Sequence, residues 1–359
     1  MFCKAPLQQL PIPLLQWYRE HARILPWRSQ PTPYRVWISE IMLQQTRVSA
    51  VLPYFHRFLQ AFPTIAHLAA ASDDHLMKLW EGLGYYSRAR NLKKAANQIM
   101  EQFGGIFPSS YEEILTLAGI GEYTAGAIAS IAFGIPVPAV DGNVLRVVAR
   151  ITGFADPIDS PKTRRLLRAA VWEIIPLHAP GDFNQALMEL GATVCLPNGA
   201  PLCSQCPVAS FCRAFLQSRT EELPVKSPRK PRRVEMRTVF LLFFDGSVAL
   251  RRRPEKGLLS GLWEFPNVPG SGDQALAEWE ISPAQQWEAC NGKHVFTHVE
   301  WHMTGQAFLL ANDILPEGWV WANRAKLQQT YAVPSAFASF LPLVETYCAV
   351  SAPLSANRP

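Results

Sequence analysis

Leu117-Ala-Gly-Ile-Gly-Glu-Tyr-Thr-Ala-Gly126 joins two helical runs through a turn with glycines at 119 and 121. A hairpin of this kind turns its backbone amides outward, and the N-terminus of the helix behind it can receive a phosphate without reading any base. A plain helix–helix corner has the same pattern, so Gly119 and Gly121 admit both accounts at this level. Outward from this hairpin the chain is paced by helical periodicity up to about residue 215. Between Tyr34 and Phe62, Trp37, Ile38, Ile41, Met42, Val48, Val51, Leu52 and Phe55 fall at spacings of three and four, which predicts an amphipathic helix or two in succession. Further helices are expected over 74–80, 90–103, 111–117, 123–133, 144–151, 161–174 and 183–190. Ser109 and Glu112 form a capping box ahead of the helix that opens at Tyr111.

The character changes after residue 220, where Lys226-Ser-Pro-Arg-Lys-Pro-Arg-Arg233 packs five cations and two prolines into eight residues. That composition is a linker, either a solvated tether or one that also touches phosphates. Beyond it, 237–244, 247–252, 294–304 and 306–311 carry β-branched and aromatic residues with turn signals between them, while 274–280 and 335–347 look helical. The expected fold class is therefore multidomain: an all-α domain over 1–220, a basic linker over 221–236 and an α+β domain over 237–359.

With 359 residues, 48% of them apolar and 18% charged, global disorder is excluded and about two domains are expected. No apolar run approaches the roughly 18 residues that span a bilayer: Ala125–Val140 is interrupted by Gly126, Gly134, Pro136 and Pro138, and Thr238–Phe244 is strand-sized. A soluble chain with no membrane partner follows. The N-terminus has early prolines and no clean apolar stretch before a small-residue cleavage site, so no secretory signal is read there and a cytosolic, reducing compartment is expected. The net charge of +5 fits a polyanionic partner without identifying one.

Four of the seven cysteines follow the pattern Cys195-x7-Cys203-x2-Cys206-x5-Cys212. In a reducing compartment such clustering means metal before disulfide. Tight loops of two and five residues let the sulfurs converge on one centre, and four thiolates suit zinc or a [4Fe–4S] cluster. In Val140-Asp-Gly-Asn-Val144, Asp141 precedes the apolar periodicity of Val144, Val147, Val148 and Ile151. It reads as a helix N-cap, or as a fixed carboxylate suited to stabilising a developing cation. Glu40 sits among Ile41, Met42 and Leu43. It reads either as an ordinary exposed residue bonded to Gln44 one turn on, or as a desolvated carboxylic acid whose raised pKa suits a general acid at neutral pH.

Taken together, Pro26-Trp-Arg28, Glu40-Ile-Met-Leu-Gln-Gln-Thr46, Gly82-Leu-Gly-Tyr-Tyr-Ser-Arg-Ala-Arg-Asn91, the 117–126 hairpin, Asp141-Gly-Asn143 and the four cysteines closely resemble the MutY-type adenine DNA glycosylases of the helix-hairpin-helix, iron–sulfur superfamily. The resemblance covers essentially the whole chain. It implies a [4Fe–4S] cluster on Cys195, Cys203, Cys206 and Cys212, a phosphate-binding hairpin at Gly119 and Gly121, and a monovalent cation on the hairpin carbonyls. It casts Glu40 as the acid that protonates adenine N7 and Asp141 as the carboxylate that stabilises the oxocarbenium ion, with Tyr123 and Asn143 in supporting catalytic positions. Trp27, Arg28, Leu43, Val48 and Gln185 match the pocket around a flipped adenine, and Gln45 and Tyr85 match residues that wedge into the duplex beside the opposite base. The implied partner is duplex DNA with adenine opposite 8-oxoguanine or guanine. The expected setting is a bacterial cytoplasm, in use on the nucleoid, with the chain as a monomer.

Lyase-active relatives carry a lysine where Tyr123 stands, and tyrosine cannot form a Schiff base, so the resemblance implies a monofunctional enzyme that leaves an abasic site. The second domain resembles the family's Nudix-like module for 8-oxoguanine. It lacks the clustered Arg-Glu-x-x-Glu-Glu set of working Nudix hydrolases and has only scattered acids such as Glu264, Asp273 and Glu278, so it is expected to read, not to hydrolyse. The family's Phe-Ser-His loop stands here as Phe296-Thr297-His298, and the first cysteine gap holds seven residues where the superfamily commonly shows six, with Gly199 present to absorb the extra one. An endonuclease-III-like lyase for damaged pyrimidines is opposed by Tyr123 and by the second domain. A non-catalytic DNA-binding protein is opposed by the presence of both Glu40 and Asp141.

Overall fold

A computed structural model describes residues 3–228 and 231–350, which divide into one unit of 3–70 with 91–228 and a second of 71–90 with 231–350. In chain order the helices that bear on function are α1 (Pro11–His21), α2 (Pro33–Leu43), α3 (Val48–Ala61), α4 (Asp73–Trp80), α5 (Ser87–Gln102), α6 (Tyr111–Thr116), α7 (Glu122–Phe133), α8 (Gly142–Thr152), α9 (Pro161–Trp172) and α10 (Pro180–Thr193).

The stretch 34–62 forms two helices. Thr32 caps α2 by accepting from the Arg35 amide at 3.4 Å, and Pro33 opens it with its fixed φ. Val36, Trp37, Ile38, Ser39, Glu40, Ile41 and Met42 are all buried, as in a helix surrounded by protein. By contrast, α3 buries only the stripe Val51, Phe55 and Phe58. Between them Gln45 takes φ 57, which no helix continues through. The capping box ahead of α6 lies one residue later than Ser109 and Glu112: Ser110 Oγ accepts from the Glu113 amide at 3.2 Å and donates to the Glu113 carboxylate at 2.9 Å. Tyr111 begins the helix, and Ser110 alone is placed at its N-cap.

Small residues let α7 lie close to the extended segment that precedes Asp141 and to α10. A Cβ on Gly126 would fall 2.3 Å from the Pro138 carbonyl oxygen, and one on Gly181, in the first turn of α10, 2.7 Å from that of Ser130. Asp141 caps α8, and Gly153 at φ 67 closes it. Val144, Val147, Val148 and Ile151 of α8 join Leu14, Phe183, Leu187 and Leu190 of α1 and α10 in one core, as the apolar period predicts. Each large side chain fully buried there contributes about 1.5–3 kcal/mol. Arg146 and Arg150 are also buried on α8 and are satisfied only by specific partners.

The second unit is built on a sheet of β1 (Arg233–Phe244), β2 (Ser247–Arg252), β3 (Trp263–Glu264), β4 (Asn267–Pro269), β5 (Pro283–Val295), β6 (Val299–Leu310) and β7 (Trp319–Asn323). Its main path runs β3-β2-β1-β6-β5, with β4 on β1 and β7 on β2; β1 and β6 are parallel and the other pairs antiparallel. Asp245 and Gly246, both at positive φ, turn β1 into β2 as an Asp-Gly hairpin requires. Along β1, Val239, Leu241 and Phe243 face one core while Phe240 and Leu242 face another, so the sheet is covered on both sides. The basic run does not stay a linker to residue 236, because β1 already begins at Arg233. Residues 294–304 are not one strand: β5 ends at Val295, a turn closed by the Phe296 amide on the Val299 carbonyl at 2.8 Å follows, and β6 continues through 306 to Leu310. Ser335–Phe340 is a 3₁₀ turn, followed by α11 (Leu341–Val350). Among the described residues no helix is long and apolar enough to cross a membrane.

Candidate active site

Glu40 is only 5% exposed, which excludes the account of it as an ordinary surface residue. The hydroxyl of Tyr123, on the first turn of α7, donates to Glu40 Oε2 at 2.5 Å and lies 3.7 Å from the Met188 sulfur of α10. Burial pushes the Glu40 carboxyl up to about 7; the Tyr123 hydrogen bond pulls against this, the nearby Asp141 charge adds to it and the Arg28 guanidinium reduces it. Burial also raises the Tyr123 hydroxyl well above its ordinary value, so it stays a neutral donor.

Asp141 is the N-cap that its position suggests: Oδ1 accepts from the Val144 amide at 2.8 Å. Its other oxygen accepts from Asn143 Nδ2 at 2.8 Å, and burial raises its pKa against these hydrogen bonds. The cap therefore fixes the carboxylate, and the capping and charge-stabilising accounts are compatible. Asn143 is held in turn by Arg146, whose Nη2 donates to Asn143 Oδ1 at 2.9 Å and to the Gly191 carbonyl at 2.8 Å.

Arg28 donates from Nη2 to Glu189 Oε2 at 2.7 Å, and Arg23 donates from Nε to Glu189 Oε1 at 2.5 Å. Glu189 is completely buried, and these two guanidiniums hold it ionised below the usual carboxylate range although burial alone would raise it. Trp27 packs edge-on against Phe55 with ring centres 5.2 Å apart. Leu43, Val48 and Gln185 are half-buried, at the end of α2, the start of α3 and on α10.

Cys195, Cys203, Cys206 and Cys212 line one cavity, walled also by Val147, Arg150 and Leu190. Arg146 Nε donates to the Cys195 carbonyl at 2.9 Å, and Arg150 Nη1 approaches the Cys195 sulfur at 3.3 Å. The extra residue of the first gap sits in the exposed stretch 197–200, where Gly199 takes φ 72. Among the described residues no three His, Cys, Asp or Glu side chains gather tightly enough for a single metal ion. Four cysteines lining a common cavity with a guanidinium at its wall, and no carboxylate or imidazole in the lining, fit a thiolate-held metal group.

Residues 38–176 match the HhH-GPD superfamily base excision DNA repair protein family, and residues 238–343 match the NUDIX domain family. The chain is 37% identical to the adenine DNA glycosylase of Homo sapiens, over 90% of this chain and 71% of that one. It is 36% identical to that of Buchnera aphidicola (Baizongia pistaciae), over 88% of this chain and 86% of the relative. The chain belongs to the adenine DNA glycosylase family. It is a monofunctional glycosylase of base-excision repair that removes adenine from DNA by hydrolysing the N-glycosidic bond. Among solved structures, a thermostable thymine-DNA glycosylase is 25% identical with a TM-score of 0.53, covering 60% of this chain and 97% of that one. A trapped endonuclease III–DNA covalent intermediate, 24% identical with a TM-score of 0.53 over 61% of this chain and 99% of that one, shares the helical fold.

The two residues read as wedges of this glycosylase, Gln45 and Tyr85, are exposed and sit at φ 57 and φ 47. A side-chain-bearing residue in this region stores about 1–3 kcal/mol of strain that the surrounding packing must offset. Within the second unit the Tyr85 hydroxyl lies 3.5 Å from Thr297 Oγ1, so the structure brings these two together. Thr297 and His298 are exposed at the turn between β5 and β6. Phe296 is half-buried, its ring edge-on to Trp301 at 4.9 Å and to His294 at 4.5 Å. Glu189, Arg23 and Arg146 escaped the reading of the sequence. Glu189 had a signal: it lies one helical turn beyond Gln185 on a helix whose neighbouring positions Phe183, Ala186, Leu187 and Leu190 are apolar.

Proposed function

We propose that this glycosylase excises adenine from adenine:8-oxoguanine and adenine:guanine mispairs in duplex DNA, acting as a monomer in the bacterial cytoplasm. The observation that carries the reading is the buried Glu40–Tyr123 pair beside a capped Asp141. A base inside a duplex is out of reach, so the adenine is extruded into the pocket of Trp27, Arg28, Leu43, Val48 and Gln185, while Gln45 and Tyr85 fill the gap beside the opposite base. Glu40, neutral because it is buried, donates its proton to adenine N7 and makes the base a leaving group. Asp141, fixed by Val144 and Asn143, stabilises the positive charge that grows on the sugar as the bond breaks. Water adds to the sugar, leaving an abasic site. Tyr123 orients Glu40 and offers no amine for a Schiff base.

Gly119, Gly121 and the N-terminus of α7 hold a backbone phosphate, with a monovalent cation on the hairpin carbonyls. Cys195, Cys203, Cys206 and Cys212 would hold a [4Fe–4S] cluster, which would tie the 195–212 segment to itself beside Val147 and Arg150 of α8. The second unit reads 8-oxoguanine through Phe296, Thr297 and His298. Glu264 is engaged by Arg251 at 3.0 Å and Arg253 at 2.5 Å, which supports a module that does not gather Mg²⁺ for hydrolysis. The test is single-turnover excision on adenine:8-oxoguanine, adenine:guanine and adenine:thymine duplexes, with borohydride added to trap any Schiff base. Abasic product from the first two without trapping is expected; efficient trapping, or excision indifferent to the opposite base, would overturn the reading.

A further inference from the structure

Residues 71–90 lie inside the stretch that matches the HhH-GPD family, yet they cluster with the second unit. Asp74, on α4, accepts from Trp263 Nε1 at 3.0 Å, and Arg90 donates to the Ser260 carbonyl at 2.7 Å and to its hydroxyl at 2.9 Å. Between these anchors Lys78 has a side chain only 15% exposed. Its ammonium donates to the Leu327 carbonyl at 2.6 Å, the Tyr331 carbonyl at 3.3 Å and Glu81 Oε2 at 2.5 Å, and Glu81 Oε1 accepts from the Val333 amide at 2.8 Å. Leu327 belongs to the helix Arg324–Gln329, so the cation sits at the negative end of a helix while the carboxylate satisfies the backbone just beyond it.

Tyr85 follows Glu81 by four residues, through a corner in which Gly82 and Gly84 take φ 98 and 68. The Gly84 carbonyl accepts from Trp80 Nε1 at 3.1 Å and from Arg88 Nη2 at 3.0 Å, so the corner is tied to the end of α4 and takes its direction from where α4 is fastened. We propose that the Lys78–Glu81 clamp is the positioning device by which the second unit aims Tyr85 at the base opposite the adenine. The proposal rests on the reading of Tyr85 and Thr297 as opposite-base contacts. Neither Lys78 nor Glu81 touches DNA in it; they act through Tyr85.

Lys78→Met keeps the stem of the side chain and removes the cation, and Lys78→Arg restores a donor. The measurement is the ratio of single-turnover excision rates on adenine:8-oxoguanine and adenine:guanine duplexes, with the thermal midpoint followed alongside. Misplacement of a contact by a fraction of an ångström is expected to lower the ratio about tenfold in Lys78→Met, mainly through the 8-oxoguanine duplex. The pH profile on adenine:guanine should not move, and Lys78→Arg should recover most of the ratio. Tyr85→Ala should lower the ratio in the wild-type background and add nothing further in Lys78→Met. An unchanged ratio in folded Lys78→Met, an equal loss on both duplexes, or additive effects of Lys78→Met and Tyr85→Ala would overturn the clamp. A wild type without preference for 8-oxoguanine would instead remove the reading beneath it, and the clamp with it.

Discussion

A carboxyl group taken out of water and set beside another carboxylate keeps its proton to higher pH than one on the surface. Glu40 meets both conditions, and its value of about 7 leaves it a proton to donate at neutral pH. Glu40→Gln keeps the shape but has no acidic proton, so excision should be lost while duplex affinity stays within about a few-fold; near wild-type single-turnover excision by this variant would remove Glu40 from the acid role. The sign of the pH dependence follows. The acid form is the active one, so the single-turnover rate should be full below the pKa and fall as pH rises through about 7. Tyr123 donates to Glu40 and thereby favours its charged form. Tyr123→Phe removes that help, so the falling limb should move to higher pH even as the lost positioning lowers the plateau. A limb that moves to lower pH would contradict this account of the pair.

Among the elements, the hairpin into α7 depends on one backbone conformation. Gly119 sits at φ 74, and a Cβ there would lie 2.6 Å from Asn91 Cβ. Gly119→Ala should cost about 1–3 kcal/mol, part from the left-handed backbone and part from displacing Asn91. The outward amides would be re-aimed, so duplex affinity should weaken several-fold while single-turnover excision at saturating enzyme stays close to wild type. Denaturant melts and fluorescence anisotropy report the two effects separately, and undiminished affinity in the destabilised variant would show that the hairpin is only a corner. On α8, the helix whose N-cap is Asp141 also carries Arg146 and Arg150, which reach the Cys195 carbonyl and sulfur. One helix thus fixes the carboxylate proposed to stabilise the sugar cation at one end and braces the cysteine segment along its length.

At the scale of the whole molecule, four cysteines line one cavity, and burial drives the Cys206 thiol up to about 12 and raises Cys203 and Cys212, so binding the proposed cluster would displace protons from these thiols. Anaerobically purified protein should carry about four irons and four sulfides per chain and absorb in the yellow-brown range. One zinc with no iron or sulfide by elemental analysis would refute the cluster. The division into units also cuts across family boundaries, since 71–90 falls with the second unit although its sequence belongs to the helical family.

Spacing along the chain was enough to predict helix within 34–62, though not whether one or two, and to offer an N-cap at Asp141, the hairpin and the set of four cysteines, because each is a matter of neighbours within one or two turns. Even there the local signal slipped: two adjacent serines, Ser109 and Ser110, each precede a glutamate at the capping distance, and only the placed helix selects Ser110. Whether Glu40 is exposed or buried depends on packing against α7, and its partner Tyr123 lies 83 residues away. The residue pattern of 294–304 gave no break and only the family resemblance marked 296–298 as a loop, whereas the pairing between β5 and β6 places the turn there. Glu189 with Arg23 and Arg28, and Lys78 with the backbone of 327–333, are buried charges whose partners are distant in sequence. Residue type and periodicity report a position's local environment, whereas pairing a buried charge requires a partner that only the packed chain supplies.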